Sequence, residues 1–312
     1  VGRISAQIDD LHRRHYGAMS GHFGLLEAVE DEAVFAALLE TAETWLRSQG
    51  AEQVTGPFGL SINQESGLLV QGFDTPPMLM MPHGRPWYDG MLQQCGYAPA
   101  RDLYAYWIKV HFDRPDTMLT LLKRYSKRVH LRPLNRRRLK QDLRIIRDLF
   151  NDAWANNWGF VPMTEAEIDD LGTSLRLFVP DDFVYIAEVD GKPAAFIVGL
   201  PNLHESFRRM DGSLFPTGIF KLIGDMRHNR ISTGRIPLMG VRREWQNTPF
   251  GMALAFMVIN AIRTPLYDKG IHEVEMSWIL QDNKGMRSIL ELIGSRHYKT
   301  YRVYEKRLEP QQ

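Results

Sequence analysis

The segment Leu238-Met-Gly-Val-Arg-Arg-Glu-Trp-Gln-Asn-Thr-Pro-Phe-Gly-Met-Ala253 reads as a strand that turns into the start of a long apolar helix. The first turn of a helix presents backbone N–H groups without intrahelical partners and the positive end of the helix dipole, the combination that receives a pyrophosphate. Asn283, Met286, Leu290 and Gly294 stand at offsets 0, 3, 7 and 11, so an amide at a strand end is followed by positions on one helix face. Between these segments, period-two alternation over 272–279 places Glu273, Glu275 and Ser277 on one strand face, where a carboxylate can serve as a general base. Tyr298, Tyr301 and His297 follow, the histidine titrating in the useful range. His204, His228 and His272 show no paired spacing, and no metal is expected.

The elements that must position these residues follow from periodicity and punctuation. Strands are expected at 1–8 and 23–28, a helix at 32–49 on the stripe Phe35, Leu38, Leu39, Ala42, Leu46 ending at Gly50, a strand at 54–62, a helix at 87–94 and a strand at 103–110. A second series begins at 129–134 (strand), 140–155 and 164–178 (helices), then strands at 183–189 and 194–200 joined by Asp190-Gly191, a hairpin signal because both central positions tolerate positive φ. Strand 235–241, helix 251–267, strand 272–279, helix 284–292 and strand 298–305 complete it. The tail of the second series repeats the first element for element, Gly294 answering Gly96, which predicts a tandem repeat whose first copy lacks its opening elements. The domains are expected at 1–112 (partial, degenerate), 113–128 (a basic linker) and 129–312 (complete).

The loop resembles the acyl-CoA loop of the GNAT superfamily of acyltransferases, Gln/Arg-x-x-Gly-x-Gly/Ala: Gln246-x-x-Pro249-x-Gly251 matches at its ends and departs in the middle. The run from Asn283 to Gly294 is similar to the family's Asn-x-x-Ala-x-x-x-Tyr-x-x-x-Gly, with Leu290 where many members carry a tyrosine that protonates the leaving thiolate. The resemblance implies an α/β fold with a mixed sheet, a tandem GNAT-like acyltransferase fold with acyl-CoA as co-substrate. It implies coenzyme A contacts from Leu238, Met239, Gly240, Val241, Gln246, Asn247, Thr248, Gly251, Met252, Ala253 and Asn283, with backbone N–H groups around Met239–Val241 polarising the thioester. Glu275 becomes the expected base, and Tyr298 and His297 candidate acids. In the first copy the loop position reads Glu27-Ala-Val-Glu-Asp-Glu32, whose carboxylates satisfy the dipole themselves and repel a pyrophosphate, so that copy is expected to be non-catalytic. Gly56-Pro-Phe-Gly-Leu-Ser-Ile-Asn63, Gly67–Asp74, Met80-Met-Pro-His83 and Trp154-Ala-Asn-Asn-Trp-Gly-Phe-Val-Pro162 resemble the bacterial ceramide synthase-like branch, which joins an acyl-CoA to the amine of a sphingoid base. On that resemblance Trp154, Asn157, Trp158, Phe160, Trp278 and His83 are candidate substrate contacts. The doubled arrangement is also similar to the Fem peptidyltransferases, which implies an aminoacyl-tRNA donor as the alternative; a lipid- or protein-binding module with decayed loops is the reading that Pro249 and Leu290 prompt.

A 312-residue chain that is 44% apolar can bury a sizeable core and is not disordered. One cysteine, Cys95, makes no internal disulfide, so the cytoplasm is expected. The longest apolar segment, 252–262, is broken by Asn260 and is too short to span a bilayer. The opening at Val1 reads as an interior strand, so earlier sequence is expected. The 38 Lys+Arg against 37 Asp+Glu hide an asymmetry: 7 against 13 over 1–112 leave 31 against 24 for the rest. Between Lys123 and Arg147 eleven basic residues face one acid, Asp142, a stretch that reads as a solvated linker and helix face or as one that attracts anionic lipid at the inner membrane face, nucleic acid or a cofactor phosphate; no DNA partner is expected.

Overall fold

In the computed structural model, which describes residues 1–17, 19–210, 214–215 and 217–309, the first half forms β1 (Gly2–Gln7), α1 (Asp10–Tyr16), β2 (Ser20–Ala28), α2 (Glu32–Ser48), β3 (Gln53–Gly56), β4 (Leu68–Gln71), α3 (Tyr88–Gln94) and β5 (Ala98–Lys109). Helix α4 (Asp116–Tyr125) leads into β6 (Val129–Pro133), α5 (Leu139–Ala153), α6 (Glu165–Phe178), β7 (Val184–Val189) and β8 (Lys192–Pro201). Then come α7 (His204–Phe207), α8 (Gly218–Arg227), β9 (Thr233–Val241), α9 (Pro249–Asp268), β10 (Glu273–Leu280), α10 (Lys284–Leu292) and β11 (Arg296–Arg307). Asp31 starts α2 by accepting from the N–H groups of Ala33 and Val34, and the stripe Phe35, Leu39, Ala42, Leu46 is buried. The β7–β8 hairpin turns at Asp190 and Gly191, both at positive φ.

Among the described residues all strands belong to one eleven-stranded sheet in the order β1-β2-β3-β11-β5-β10-β9-β8-β7-β6, with β4 paired to β11 off that path. Each half sends its last strand into the other. β5 runs antiparallel to β10, Lys109 opposite Glu273 and Leu103 opposite Leu280, while β11 lies antiparallel to β3, Gly56 opposite Tyr304. The two copies share a parallel pair: Ser20↔Gln53 to His22↔Thr55 in the first, Thr233↔Glu273 to Ile236↔Met276 in the second.

Four differences from the sequence reading have physical causes. The strand expected over 54–62 stops at Gly56, because Pro57 has no N–H to give a ladder and Phe58 swings onto β2, its carbonyl oxygen lying only 1.6 Å from where a Cβ on Gly24 would sit. The stretch expected as a linker over 113–128 contains α4, whose Met118 and Leu121 are buried as the helix packs against α9. Helix α9 extends beyond the apolar core at 252–262 and is long and apolar enough to cross a membrane by length and composition; its buried Leu254, Phe256, Val258 and Leu266 make it a core helix here. Several of the basic residues are neutralised internally: Arg132 holds buried Asp142 through its two terminal nitrogens, both at 2.9 Å, and Glu188 through Nε at 2.7 Å, and Arg136, Arg144 and Arg147 pair with Asp181, Glu165 and Asp148. Lys123, Lys127, Arg137 and Arg138 stay exposed.

Because β11 sits between β3 and β5 and also carries β4, a chain ending after Gly294 loses pairing to three strands and uncovers the core around Tyr304 and Leu308. Such a truncation is expected to show no cooperative thermal transition and no near-ultraviolet circular dichroism; retention of both would mean that the first half closes on its own.

Candidate active site

The ladder between β9 and β10 ends at Ile236 and Met276, while β10 stays bonded to β5 as far as Leu280 past a bulge between Met276 and Ile279. The parted strands open a cavity of about 1110 Å³. Met239, Gly240 and Val241 of β9, Gln246, Asn247 and Thr248 of the turn, Gly251 and Met252 of α9, and Asn283 all lie on its wall. Leu238 and Ala253 do not: Leu238 packs against the core, and Ala253 is wholly buried behind the exposed turn of α9. Trp154, Asn157, Trp158, Phe160 and Trp278 line the same cavity, joined by Phe58, Ile62, Asn63 and Ser66 from the first half.

The turn is held by its own polar groups. Thr248 Oγ1 accepts from the Gly251 N–H at 3.0 Å and donates to the Trp245 carbonyl at 2.6 Å, a capping arrangement that leaves the helix start uncharged. Pro249 fits at the first helical position, where its fixed φ suits the helix and no N–H is missed, so the departure from the glycine pattern costs the turn nothing. Gly251 is required: a Cβ there would lie 2.0 Å from the Trp245 carbonyl oxygen. Gln246 has a structural task that the loop pattern does not convey, its Nε2 donating to the carbonyls of Ala153 at 2.9 Å and Val241 at 2.8 Å and tying the turn to α5 and β9. Trp154 Nε1 donates to the Met239 carbonyl at 3.2 Å. In the first half the corresponding helix start is taken by the Asp31 carboxylate, and the Tyr88 hydroxyl occupies the strand end, accepting from the Ala28 N–H at 2.9 Å and donating to its carbonyl at 3.2 Å.

Behind the split lies a buried charged cluster. Glu275 is fully buried, which excludes a solvated outer face for it. Ser277 Oγ donates to Glu275 Oε1 at 2.6 Å, the Tyr298 hydroxyl donates to Oε2, and Arg235 Nε stands 3.5 Å from Oε1. Arg235, 2% exposed, also donates to Ser277 Oγ at 3.0 Å and to the carbonyls of Leu79 at 2.9 Å and Met80 at 3.3 Å, with its guanidinium 4.8 Å from the Trp278 ring centre. Lys299 Nζ donates to the carbonyls of Thr75 and Pro76, both at 2.9 Å. Burial lowers the pKa of the Arg235 guanidinium while Glu275 pulls it the other way; burial likewise lowers that of Lys299. Burial first, and the Glu275 carboxylate second, push the Tyr298 hydroxyl well above the ordinary tyrosine range. Ser277 lines the cavity and Glu275 lies behind it, so the serine connects the carboxylate to the space where a substrate sits.

Two of the sequence-predicted residues fall outside this cluster. A register shift between His297 and Lys299 turns His297 outward onto the Tyr104 ring at 4.6 Å, with its Nε2 2.9 Å from the Lys299 carbonyl. His83 is exposed beside Phe73 and off the cavity wall, because Met81 rather than His83 turns inward. Arg235 and Lys299 escaped the sequence reading, although Lys299 shares a period-two face with Tyr301 and Val303, and a lysine in phase with two buried apolar residues is a visible signal.

No family model matches the chain. Among solved structures, the GCN5-related N-acetyltransferase from Sphaerobacter thermophilus superposes with a TM-score of 0.54 at 14% identity, over 99% of this chain and 78% of that one. The GCN5-related glucosamine N-acetyltransferase region of a fungal multi-domain GH3 β-N-acetylglucosaminidase gives 0.56 at 11% identity, over 97% of this chain and 31% of that one. The doubled mixed sheet with its parted parallel strands is therefore the GNAT fold. At the level of sequence, Protein YghO of Escherichia coli (strain K12) is 49% identical over 309 residues, 99% of this chain and 79% of that protein. A protein of Caulobacter vibrioides (strain NA1000 / CB15N) named bacterial ceramide synthase is 43% identical over 310 residues, 99% and 81%. The chain belongs to the family of these two proteins.

The Tyr298 hydroxyl gives the stability a pH dependence of definite sign. Its folded pKa is raised, so its contribution is whole below about pH 10, where a tyrosine of the unfolded chain titrates, and is lost as pH rises beyond that value. Urea unfolding above about pH 10 should show stability falling with pH, and Tyr298→Phe should make the fall shallower; equal slopes in the two proteins would place the effect elsewhere.

Proposed function

We propose that the protein transfers a long-chain acyl group from acyl-coenzyme A to the primary amine of a sphingoid base, forming an amide. The observation that carries this reading is one continuous cavity joining the uncharged start of α9, the split between β9 and β10, and Ser277 in front of Glu275. The name of the Caulobacter relative favours the sphingoid acceptor.

The start of α9 receives the pyrophosphate through its positive dipole end and the Phe250 N–H, Pro249 having no N–H and those of Gly251 and Met252 being held by Thr248, with no acidic residue in the first turn to oppose it. The pantetheine arm follows the split past Asn283, whose Oδ1 is held by the Met286 N–H at 3.1 Å. Beyond Ile236 the edge of β9 facing the split has lost its ladder partner, so its backbone N–H groups are free to polarise the thioester carbonyl. The amine nitrogen attacks the carbonyl carbon, and as the C–N bond forms its proton passes to Ser277 Oγ while the serine proton passes to Glu275 Oε1. Arg235 and Tyr298 hold that carboxylate in place. When the C–S bond breaks, the same proton returns through Ser277 to the leaving thiolate. This return compensates for Leu290, which is buried where the family pattern has a tyrosine. A sphingoid base resides in a membrane, which the exposed Lys123, Lys127, Arg137 and Arg138 are suited to approach.

Purified protein incubated with palmitoyl-CoA and sphinganine is expected to release free thiol and amide in equal amounts. Glu275→Gln should lower kcat by about 10²- to 10⁴-fold, and Gly251→Val should weaken coenzyme A binding in calorimetry by at least about tenfold, one tenfold step being ~1.4 kcal/mol. Absence of thiol release with both acetyl- and palmitoyl-CoA across a panel of amines would sink the reading.

A further inference from the structure

Residues 72–81 belong to no strand or helix and none of them lines the cavity, yet the second half grips the segment along its length. Lys299 Nζ of β11 donates to the carbonyls of Thr75 and Pro76, both at 2.9 Å. The Pro77 carbonyl accepts from His204 Nδ1 of α7 at 3.3 Å, and Arg235 of β9 donates to the carbonyls of Leu79 at 2.9 Å and Met80 at 3.3 Å. Five of the six carbonyls from Thr75 to Met80 are thus held by side chains of the other half, and Asn202 Nδ2 reaches the Met78 sulfur at 3.3 Å. The segment is a strap across the back of the charged cluster. It starts pressed on β11, since a Cβ on Gly72 would lie 2.4 Å from the Tyr298 carbonyl oxygen. Met80 has φ 61°, a conformation that bulky residues rarely adopt and that persists where the surroundings over-determine the backbone.

Lys299 is a costly way to hold a loop. Lys299, Arg235 and Glu275 are all buried, so the cluster encloses two cations and one carboxylate, and an apolar side chain would fill the space of Lys299 with a smaller desolvation penalty. Packing alone, however, leaves a strap free to slide, whereas two charge-assisted bonds to adjacent carbonyls fix its register. That register reaches the chemistry at Met81, whose buried sulfur is 3.5 Å from Ser277 Oγ. The same hydroxyl donates to Glu275 Oε1 at 2.6 Å and accepts from Arg235 Nε at 3.0 Å. A serine hydroxyl has one proton, so the placing of the Met81 sulfur, a second acceptor, decides how fully that proton is committed to Glu275.

We propose that Lys299 is a positioning residue of the transfer reaction, holding the strap at Thr75 and Pro76 so that Met81 keeps Ser277 Oγ aligned on Glu275. Lys299 is off the cavity wall and acts through the strap alone. The proposal rests on the acyl-transfer reading with its Ser277–Glu275 relay. It adds that a segment of the first half, which supplies no group to the reaction, sets the geometry of the relay in the second.

Lys299→Met keeps an unbranched stem against Gly72 and removes the ammonium. With palmitoyl-CoA and sphinganine it should lower kcat at least about tenfold, a share of the 10²–10⁴ that a positioned base supplies, while KM for palmitoyl-CoA stays within about twofold because the strap is off the cavity wall. A crystal structure of Lys299→Met should show the sheet unchanged and Ser277 Oγ moved beyond about 3.0 Å from Glu275 Oε1. Met81→Leu, close to the parent in volume, covers the case in which the Lys299 variant does not fold; losing the sulfur should lower kcat at least about threefold with KM again unchanged. Parent kcat in folded Lys299→Met or folded Met81→Leu, a loss carried by KM alone, or an unmoved Ser277 in the crystal overturns the proposal. Absence of thiol release from the parent protein is the separate failure of the acyl-transfer reading, and the place of Ser277 in the Lys299→Met crystal still decides whether the strap positions it.

Discussion

The separation of β9 from β10 is the constraint on which the rest depends. A strand inside a sheet that abandons a neighbour leaves a row of N–H and C=O groups without partners, which is costly unless something else fills the gap. Here β10 keeps its second edge engaged, apart from the bulge between Met276 and Ile279, because β5, a strand of the first half, stays paired with it to Leu280 after β9 has turned away. The first half supplies in this way the prop that lets the second half open. In return β11, the last strand of the second half, completes the sheet of the first between β3 and β5. Neither half has a closed sheet without the other's terminal strand, so the cavity is a property of the exchange and not of one copy.

The same exchange explains a buried carboxylate. Removing Glu275 and Arg235 together from water carries a desolvation penalty of several kcal/mol per ion, which their mutual attraction offsets only with good geometry and further hydrogen bonds. Those bonds come from three separate segments: Ser277 on β10, Tyr298 on β11, and the carbonyls of Leu79 and Met80 from the first half. Apolar residues of similar volume would pack here at lower cost, so the charges point to chemistry at Ser277, which is the member of the cluster on the cavity wall.

Local signals in the sequence carried well into the structure, and non-local ones did not. The α9 turn, the α2 stripe and the Asp190-Gly191 hairpin each depend on residues a few positions apart, and each lies where spacing and turn chemistry place it. Glu275 was legible as part of an alternating strand, but its burial was not, because burial there depends on Tyr298 and Lys299 arriving on β11 and on residues 75–80 folding over it. The short β4 lies in a glycine- and proline-punctuated stretch and pairs, among the described residues, with β11, more than 200 positions away, and no window on the sequence contains both. Asn63 and Ser66 were hidden for a related reason: the expected strand over 54–62 breaks at Pro57, and the freed loop reaches across to the cavity of the other half.

The two helix starts show how one position diverges within a duplicated fold. Both Asp31 and Thr248 are N-caps, and both accept from backbone N–H groups of the first turn. Mechanically the substitution is nearly neutral, because either side chain satisfies the donor that it faces. Electrostatically the two differ: a carboxylate cancels the positive end of the helix, with Glu32 adding to it, whereas a hydroxyl leaves it uncancelled. The first copy has Tyr88 at the end of its parted strand, and the second copy keeps an unneutralised dipole over an open split. One side-chain charge at the cap is enough to make the two helix starts electrostatically unlike while both remain capped.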